Sequence, residues 1–409
     1  MGAAGAITPN DPTWSQSWGQ RQVNMPLAWD ITTGDPNVVI AIVDTGINPN
    51  TPDLQGLIAP GWDFTTGSST SADTQGHGTA AATEAAGRGN DGQGVAGYCW
   101  RCRVMPIRVS QTGVNFDSSL VSQGIRWAAD HGARIISLSF SDNGTMGADP
   151  QIASAIAYAY SKNVFVAASA GNTGNSFPTH PASDPGAVAI TATDPWDGLY
   201  SWSASGSWIR LAAPGCNVVI YPAYNGMECG VSTAAPAVAG IVGLMLSVNP
   251  GLTVDQLVSV LVSTSVSVPG INGGRVDAYK ALLAVGGHLP VKPPPPPPPP
   301  PSPPAAVKRL TPKTGPKMKT RIQHGVLRAH RAIQIKVMRG KVAATLRSPK
   351  AKSCTVTLSS NDAIWVSAAV RTGAVSVSAR VPAGRYKVNV SCRVHRPKPF
   401  ALVLRAIFA

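Results

Sequence analysis

Apolar residues follow two rhythms along this chain, and the rhythms divide it. Up to about residue 290, short unbroken apolar runs alternate with longer segments whose apolar positions recur every three or four residues. Past residue 350 the apolar positions alternate one by one. Residues 38–43 (Val-Val-Ile-Ala-Ile-Val) are an unbroken run and predict a strand buried on both faces. Residues 133–140 and 164–168 predict two more strands, and 118–129 and 149–161 predict helices between and beside them. Strands alternating with helices predict an α/β fold, with a doubly wound, mostly parallel sheet and right-handed crossovers. A further apolar, alanine-rich segment follows Cys229-Gly230-Val231-Ser232 and stops at Asn249-Pro250, which predicts a buried helix. Pro236 is expected near its opening turn, where a missing N–H costs little. No run of eighteen apolar residues is present, so no transmembrane segment is expected.

Three polar residues stand at the ends of these elements. Asp44 closes the first apolar run, so its carboxylate is expected at a strand's C-terminal end, where open α/β sheets place their sites. His77 lies in Gly76-His77-Gly78-Thr79, just ahead of the helix-like residues 80–86. Ser232 opens the long apolar helix. Free N–H groups and the positive dipole end there favour the negative charge of a tetrahedral acyl intermediate. Taken alone, residues 229–240 also fit a small-residue helix packed in a core. The chain order Asp, His, Ser is that of the subtilisin triad, whereas chymotrypsin and the α/β-hydrolases use other orders.

The chain resembles the subtilisin-family serine proteases (subtilases), on their thermitase-like branch. Four stretches carry the resemblance: Ile42-Val43-Asp44-Thr45-Gly46-Ile47, Gly76-His77-Gly78-Thr79, Ala170-Gly171-Asn172 and Gly230-Val231-Ser232-Thr233-Ala234-Ala235-Pro236. It covers about residues 8–283. The resemblance implies a subtilisin-like fold and peptide-bond hydrolysis. Ser232 would be the nucleophile, His77 the general base and Asp44 its orienting carboxylate, with Asn172 assisting the oxyanion. It implies substrate-binding walls at Ser139, Phe140, Ser141 and at Ser169, Ala170, Gly171, with Thr179 on the floor of the primary pocket. Ser141 and Asp142 stand where the family usually has glycine, so a pocket for side chains of medium size at most is expected. Val231, Thr233 and Ala80 replace a threonine, a methionine and a histidine that the family usually carries. The resemblance also implies structural calcium. Asp11, Asp53 and Asp91 would give side-chain oxygens, and Arg88, Gln93 and Val95 would give carbonyls, a donor set of hard oxygens that suits this cation. A plain acidic turn cluster is the competing reading.

Composition sharpens the division. The chain has 409 residues and a formal charge of +14. Residues 1–304 hold 12 Lys and Arg against 19 Asp and Glu, whereas residues 305–409 hold 22 against one. The front is mildly acidic and the tail strongly basic. Between them, residues 293–304 are proline broken only by Ser302, a polyproline II spacer of about 37 Å. The expected organisation is an N-terminal arm (1–37), a peptidase domain (38–288), a proline-rich linker (289–306) and a small, basic, all-β domain (307–409) of no recognised family. In that domain 354–358, 375–378 and 386–392 alternate with period two, with turns near Gly373 and Gly384.

Six cysteines fall into three local pairs: Cys99 with Cys102, Cys216 with Cys229, and Cys354 with Cys392. The first is a C-x-x-C, for which a redox pair or half a zinc site are alternatives to the expected loop disulfide. Three disulfides predict an oxidising compartment, extracellular or cell wall. Residues 1–6 lack the basic start and apolar core of a signal peptide. A processed form, a truncated gene model or a departure from the family would account for that. The expected protein is a monomer acting on protein or peptide substrates. Its basic tail would hold an acidic polysaccharide or wall matrix rather than nucleic acid, since aromatics are few and no RNA-binding signature appears. The competing class is a non-catalytic matrix or cell-wall binding protein that keeps the fold.

Overall fold

The computed structural model describes residues 6–142, 147–221 and 224–289, and the strands that lie between 318 and 408. The chain divides into two compact units, Met1–Pro295 and Pro296–Ala409.

The first unit is built on the strand that the longest apolar run predicts. β1 (Val39–Asp44) is buried along its whole length. Its side chains alternate between two cores. Ile40 and Ile42 join one, and Val39, Ala41 and Val43 join the other. Around it stand β2 (Trp62–Asp63), β3 (Arg103–Arg108), β4 (Ile135–Leu138), β5 (Phe165–Ser169), β6 (Ala187–Thr193) and β7 (Leu211–Pro214). β8 (Cys216–Tyr221) and β9 (Tyr224–Cys229) form a separate antiparallel hairpin. β10 (Val266–Ser267) and β11 (Gly274–Arg275) finish the sheet, whose order is β10-β11-β7-β6-β5-β4-β1-β3-β2. Every neighbouring pair in it is parallel except β10 with β11. After β1 the chain places β2 and β3 on one side and β4 to β7 on the other. The C-terminal end of β1 is therefore the sheet's switch point, and Asp44 occupies it.

Helices cover both faces. α1 (Trp18–Gln22), α2 (Met25–Ile31) and α3 (His77–Ala86) come early in the chain. α4 (Ser118–Asp130) and α5 (Pro150–Ser161) pack into the core that holds Val39 and Val43. Asp117 and Asp149 cap them, each accepting two N–H groups of the first turn. α6 (Val231–Val248) runs through the opposite core, followed by α7 (Val254–Thr264) and α8 (Ala278–Ala284). All of α6 except Ser232, Ser247 and Val248 is buried. Burying side chains such as Ile241 and Leu244 stabilises the fold by about 1.5–3 kcal/mol each. By length and composition α6 could cross a membrane, but here it is the core helix. α3 and α6 touch where Gly240 leaves no room: a Cβ there would lie 2.5 Å from the Ala85 carbonyl oxygen and 2.5 Å from Tyr98 Cβ.

Two expectations are corrected. The strand predicted over 133–140 is only Ile135–Leu138, because Ala133 still closes the end of α4 and 139–140 leave the sheet beyond the last β5 partner. Pro236 lies inside α6, in its second turn rather than its first, so the Ser232 carbonyl loses its usual helical donor. Burial of nearly the whole helix circumference outweighs that one lost bond.

In the second unit, the described strands form two four-stranded antiparallel sheets. Strands Ser353–Ser359 and Gly384–Arg393 pair with Cys354 opposite Cys392. The side chains of that pair lie outside the described residues, as do residues 1–5 and 290–317, which hold the proline run.

Candidate active site

The three chemistry-bearing residues arrive on three different elements. Asp44 ends β1, His77 begins α3 and Ser232 is the second residue of α6. Asp44 is fully buried. Its Oδ1 accepts the Thr45 N–H at 2.7 Å and lies 2.8 Å from His77 Nδ1, and its Oδ2 lies 2.9 Å from the same nitrogen. The negative charge of Asp44 pushes the His77 imidazole up to about 9, against a smaller opposing effect of burial. His77 and Ser232 line one narrow crevice with Ala80, Ala81, Glu84, Glu228 and Thr233. No hydrogen bond yet joins Ser232 to the imidazole, a contact that commonly tightens only around bound substrate.

The approach to Ser232 is tied down from several sides. Cys229 is bonded to Cys216 across the β8–β9 hairpin, where the two are register partners. The Gly230 N–H donates to the Gly215 carbonyl at 2.8 Å, and the Ser169 hydroxyl donates to the Val231 carbonyl at 3.0 Å. Asn172 accepts the Val231 N–H through Oδ1 at 2.9 Å, which fixes the direction of its amide. A Cβ on Gly230 would stand 2.9 Å from Ser232 Oγ and 3.5 Å from Asn172 Nδ2, so both groups gather around that glycine.

The expected substrate walls follow two neighbouring parallel strands. Ser139, Phe140 and Ser141 follow β4; Ser169 ends β5, and Ala170 and Gly171 follow it. Thr179 is fully buried and donates its hydroxyl to the Ala170 carbonyl at 2.9 Å, so the expected floor and the expected wall are hydrogen-bonded to each other.

The subtilase-family profile matches residues 35–287. Thermitase of Thermoactinomyces vulgaris is 38% identical over 283 residues, 67% of this chain and 99% of its own. The halolysin-like extracellular serine protease Nep of Natrialba magadii is 35% identical over 290 residues, covering 67% of this chain and 52% of that one. A solved protease structure from Pseudoalteromonas arctica superposes with a TM-score of 0.62 at 29% identity, over 68% of this chain and 100% of that one. The chain belongs to the subtilase family.

As a subtilase it is a subtilisin-type serine endopeptidase, a hydrolase of peptide bonds. Several features of this subtilase lie outside its motifs. Glu84 is fully buried one turn-pair beyond His77 on α3, with neither carboxylate oxygen paired among the described residues. Burial, and then the charge of Glu228, holds its carboxyl well above the usual range. Glu228 itself accepts the Tyr221 hydroxyl. Spacing from His77 along one helix face could have flagged Glu84; nothing local flags Glu228. His180, which belongs to no motif, pairs with Asp184 at 2.5 Å. Cys99 and Cys102 form a fully buried disulfide. That burial removes the redox reading, and no cluster of three potential metal-binding side chains occurs among the described residues to support zinc.

The residues expected around calcium come together only in part: Asp11, Asp53 and Asp91 do not form a group of three potential metal ligands. Asp11 accepts the Asn90 N–H at 2.7 Å and Asp53 accepts the Val95 N–H at 2.6 Å, each through Oδ2. The Oδ1 atoms of both are buried and unpaired. Gly94, at φ +33°, is required here, because a Cβ would meet Asp53 Oδ2 at 2.2 Å. Burial pushes the Asp53 carboxyl up to about 6, and the charges of Asp91 and Asp11 add to it. Burial, and then the charge of Asp91, raises Asp11 as well. Among the described residues no hydrogen bond ends on the carbonyls of Arg88, Gln93 or Val95. Two orphaned carboxylate oxygens beside unclaimed carbonyls form a donor set that fits a hard cation.

Proposed function

We propose that this subtilase is a secreted endopeptidase in which Asp44, His77 and Ser232 act as the triad and Asn172 assists the oxyanion. The carrying observation is the Asp44–His77 pair, whose imidazole lines the same crevice as Ser232. Ser232 Oγ attacks the peptide carbonyl while His77 takes its proton. Asp44 keeps Nδ1 protonated and stabilises the imidazolium that forms. The Ser232 N–H, at a helix start, and the Asn172 amide receive the oxyanion. His77 then returns the proton to the leaving amine, and water repeats the sequence on the acyl-enzyme. The substrate lies extended against 139–141 and 169–171, as a strand added to existing edges.

Asp11, Asp53 and Asp91, with the carbonyls of Arg88, Gln93 and Val95, would hold a structural calcium ion. When bound, it supplies charge neutralisation that lets the N-terminal arm and the 88–95 loop close on each other. Secretion is supported by the disulfides and by a relative described as extracellular. The basic 307–409 region, behind a stiff proline spacer, would dock on an acidic polysaccharide or wall matrix.

A serine-directed fluorophosphonate tests the reading. The full chain should be labelled and Ser232→Ala should be neither labelled nor active while keeping its fold. A chain that takes no label is instead the non-catalytic matrix-binding protein.

A further inference from the structure

The two disulfides found among the described residues stand in opposite surroundings. Cys99 and Cys102 are both fully buried, packed against Gly243 of α6. Of the other pair, Cys216 is only 8% exposed, whereas Cys229 is open to solvent. A dissolved thiol can therefore reach one sulfur of the second bridge and neither sulfur of the first. Exposed disulfides are the labile ones, and buried structural ones resist reduction. The exposed bridge also ends where the site begins, because Cys229 is three residues ahead of Ser232.

What the bridge holds is the weaker half of a hairpin. β8 is anchored along its length. Val218 and Ile220 pack with Val95, and the Ile220 N–H donates to Thr83 Oγ1 on α3 at 3.2 Å. Asn217 Nδ2 donates to the Pro214 carbonyl at 2.9 Å. β9, among the described residues, has β8 as its only strand neighbour. Met227 on it is exposed, and the Tyr221 hydroxyl that donates to Glu228 ties the hairpin only to itself. A two-stranded ribbon is marginal on its own. At its base two cross-links hold β9: the Cys216–Cys229 bond and the Gly230 N–H to the Gly215 carbonyl at 2.8 Å. The next two residues are Val231 and Ser232, the start of α6.

We propose that Cys229 Sγ is a thiol–disulfide exchange site, through which a dithiol reductant lowers the activity of this peptidase. The proposal rests on the assignment of Ser232 as nucleophile. One thiolate of the dithiol attacks Cys229 Sγ and forms a mixed disulfide. The bond to Cys216 breaks, and its electron pair leaves on Cys216 Sγ. Buried surroundings disfavour a thiolate there, so that sulfur takes up a proton. The second thiolate of the reductant then displaces Cys229 and closes the reductant's own disulfide. Two electrons pass from the dithiol to the pair, and the two protons the dithiol gives up reach the cysteines through solvent. β9 is then held at its base by one hydrogen bond, and the turn through Gly230 that delivers the Ser232 N–H is no longer fixed. A misplacement of about 1 Å at a reacting centre costs about 10² in rate. Reoxidation closes the bridge and restores the turn.

The test treats the full chain with dithiothreitol in the absence of denaturant, then traps free thiols with iodoacetamide and maps them. Cys216 and Cys229 should be alkylated, and Cys99 and Cys102 should not. As the pair opens, kcat on a small peptide should fall roughly 10- to 100-fold, and fluorophosphonate labelling should slow with it. A cooperative melting transition should persist, and reoxidation before trapping should restore both rates. The double variant Cys216→Ser/Cys229→Ser should already have the low rate and should not respond to dithiothreitol. A pair that stays oxidised, full activity after it is reduced, loss of the melting transition on reduction, or a double variant that still responds overturns the proposal. Labelling of the oxidised chain separates the two readings. A labelled chain whose activity ignores reduction overturns only the exchange site, and an unlabelled chain overturns both.

Discussion

Asp44 meets one nitrogen of His77 with both of its carboxylate oxygens, at 2.8 and 2.9 Å from Nδ1. The pair favours the charged imidazole, which is why His77 is pushed up to about 9. A general base must be neutral before it can act. Activity in the free enzyme should therefore rise with pH and level off only above about 9. Stability runs the other way. The folded value exceeds the ordinary 6.5, so the pair's contribution is complete below about 6.5 and is lost as pH rises through about 9. A pH profile of kcat/KM checks the first statement, and one already flat at pH 7 contradicts it. Asp44→Asn should lower kcat by about 10⁴.

Asn172 accepts from Val231 through Oδ1, and the proposed mechanism assigns its Nδ2 to the oxyanion. Asn172→Ala should cut kcat by roughly 10²–10³ with little change in KM. Asn172→Asp keeps an acceptor for Val231 but has no donor, so it should lose as much. If the aspartate variant retains turnover, the amide does not stabilise the oxyanion.

Chelation should lower the melting temperature and speed self-digestion, and Asp53→Asn should mimic it. The pH dependence has a definite sign. The Asp53 carboxyl, without a cation, sits near 6, above its ordinary 3.8. Its ionisation thus destabilises the cation-free fold progressively as pH rises from about 4 to 6. A bound divalent cation relieves that cost. The gain in melting temperature on adding calcium should be full above pH 6 and shrink below it, where protons compete. A gain that does not vary with pH would point to binding elsewhere.

The basic region makes a separate expectation. Expressed alone, 305–409 carries 22 basic residues against one acidic, and should bind an acidic polysaccharide at low salt and release it near molar salt. Residues 1–290 alone should cleave a small peptide as fast as the whole chain. Slower cleavage would give the tail a part in chemistry.

How legible the molecule was in its sequence depends on range. β1 and its terminal Asp44 were readable because one unbroken apolar run fixes both. α4 and α5 were readable to within a residue, since Asp117 and Asp149 sit just ahead of apolar residues at helical spacing. The β8–β9 hairpin was not, because its mixture of polar and apolar residues is held by a disulfide and by packing rather than by period. Within the site, Asp44, His77, Asn172 and Ser232 stand in short motifs. Glu84 and Glu228 become neighbours only when α3 and β9 meet.

Gly240 stands in the middle of α6, with no polar side-chain atom, yet it bears on chemistry two helical turns away. α3 presents His77 at its first residue and α6 presents Ser232 at its second, and the two helices press together at Gly240 and Ala85. The proposed base and nucleophile are aligned by how closely those rods approach. Adding a single methyl group at 240 would wedge them apart and tilt both starts, because interiors pass strain along rather than absorb it. Inactivating substitutions should therefore appear deep in this apolar contact, among residues that never touch a substrate.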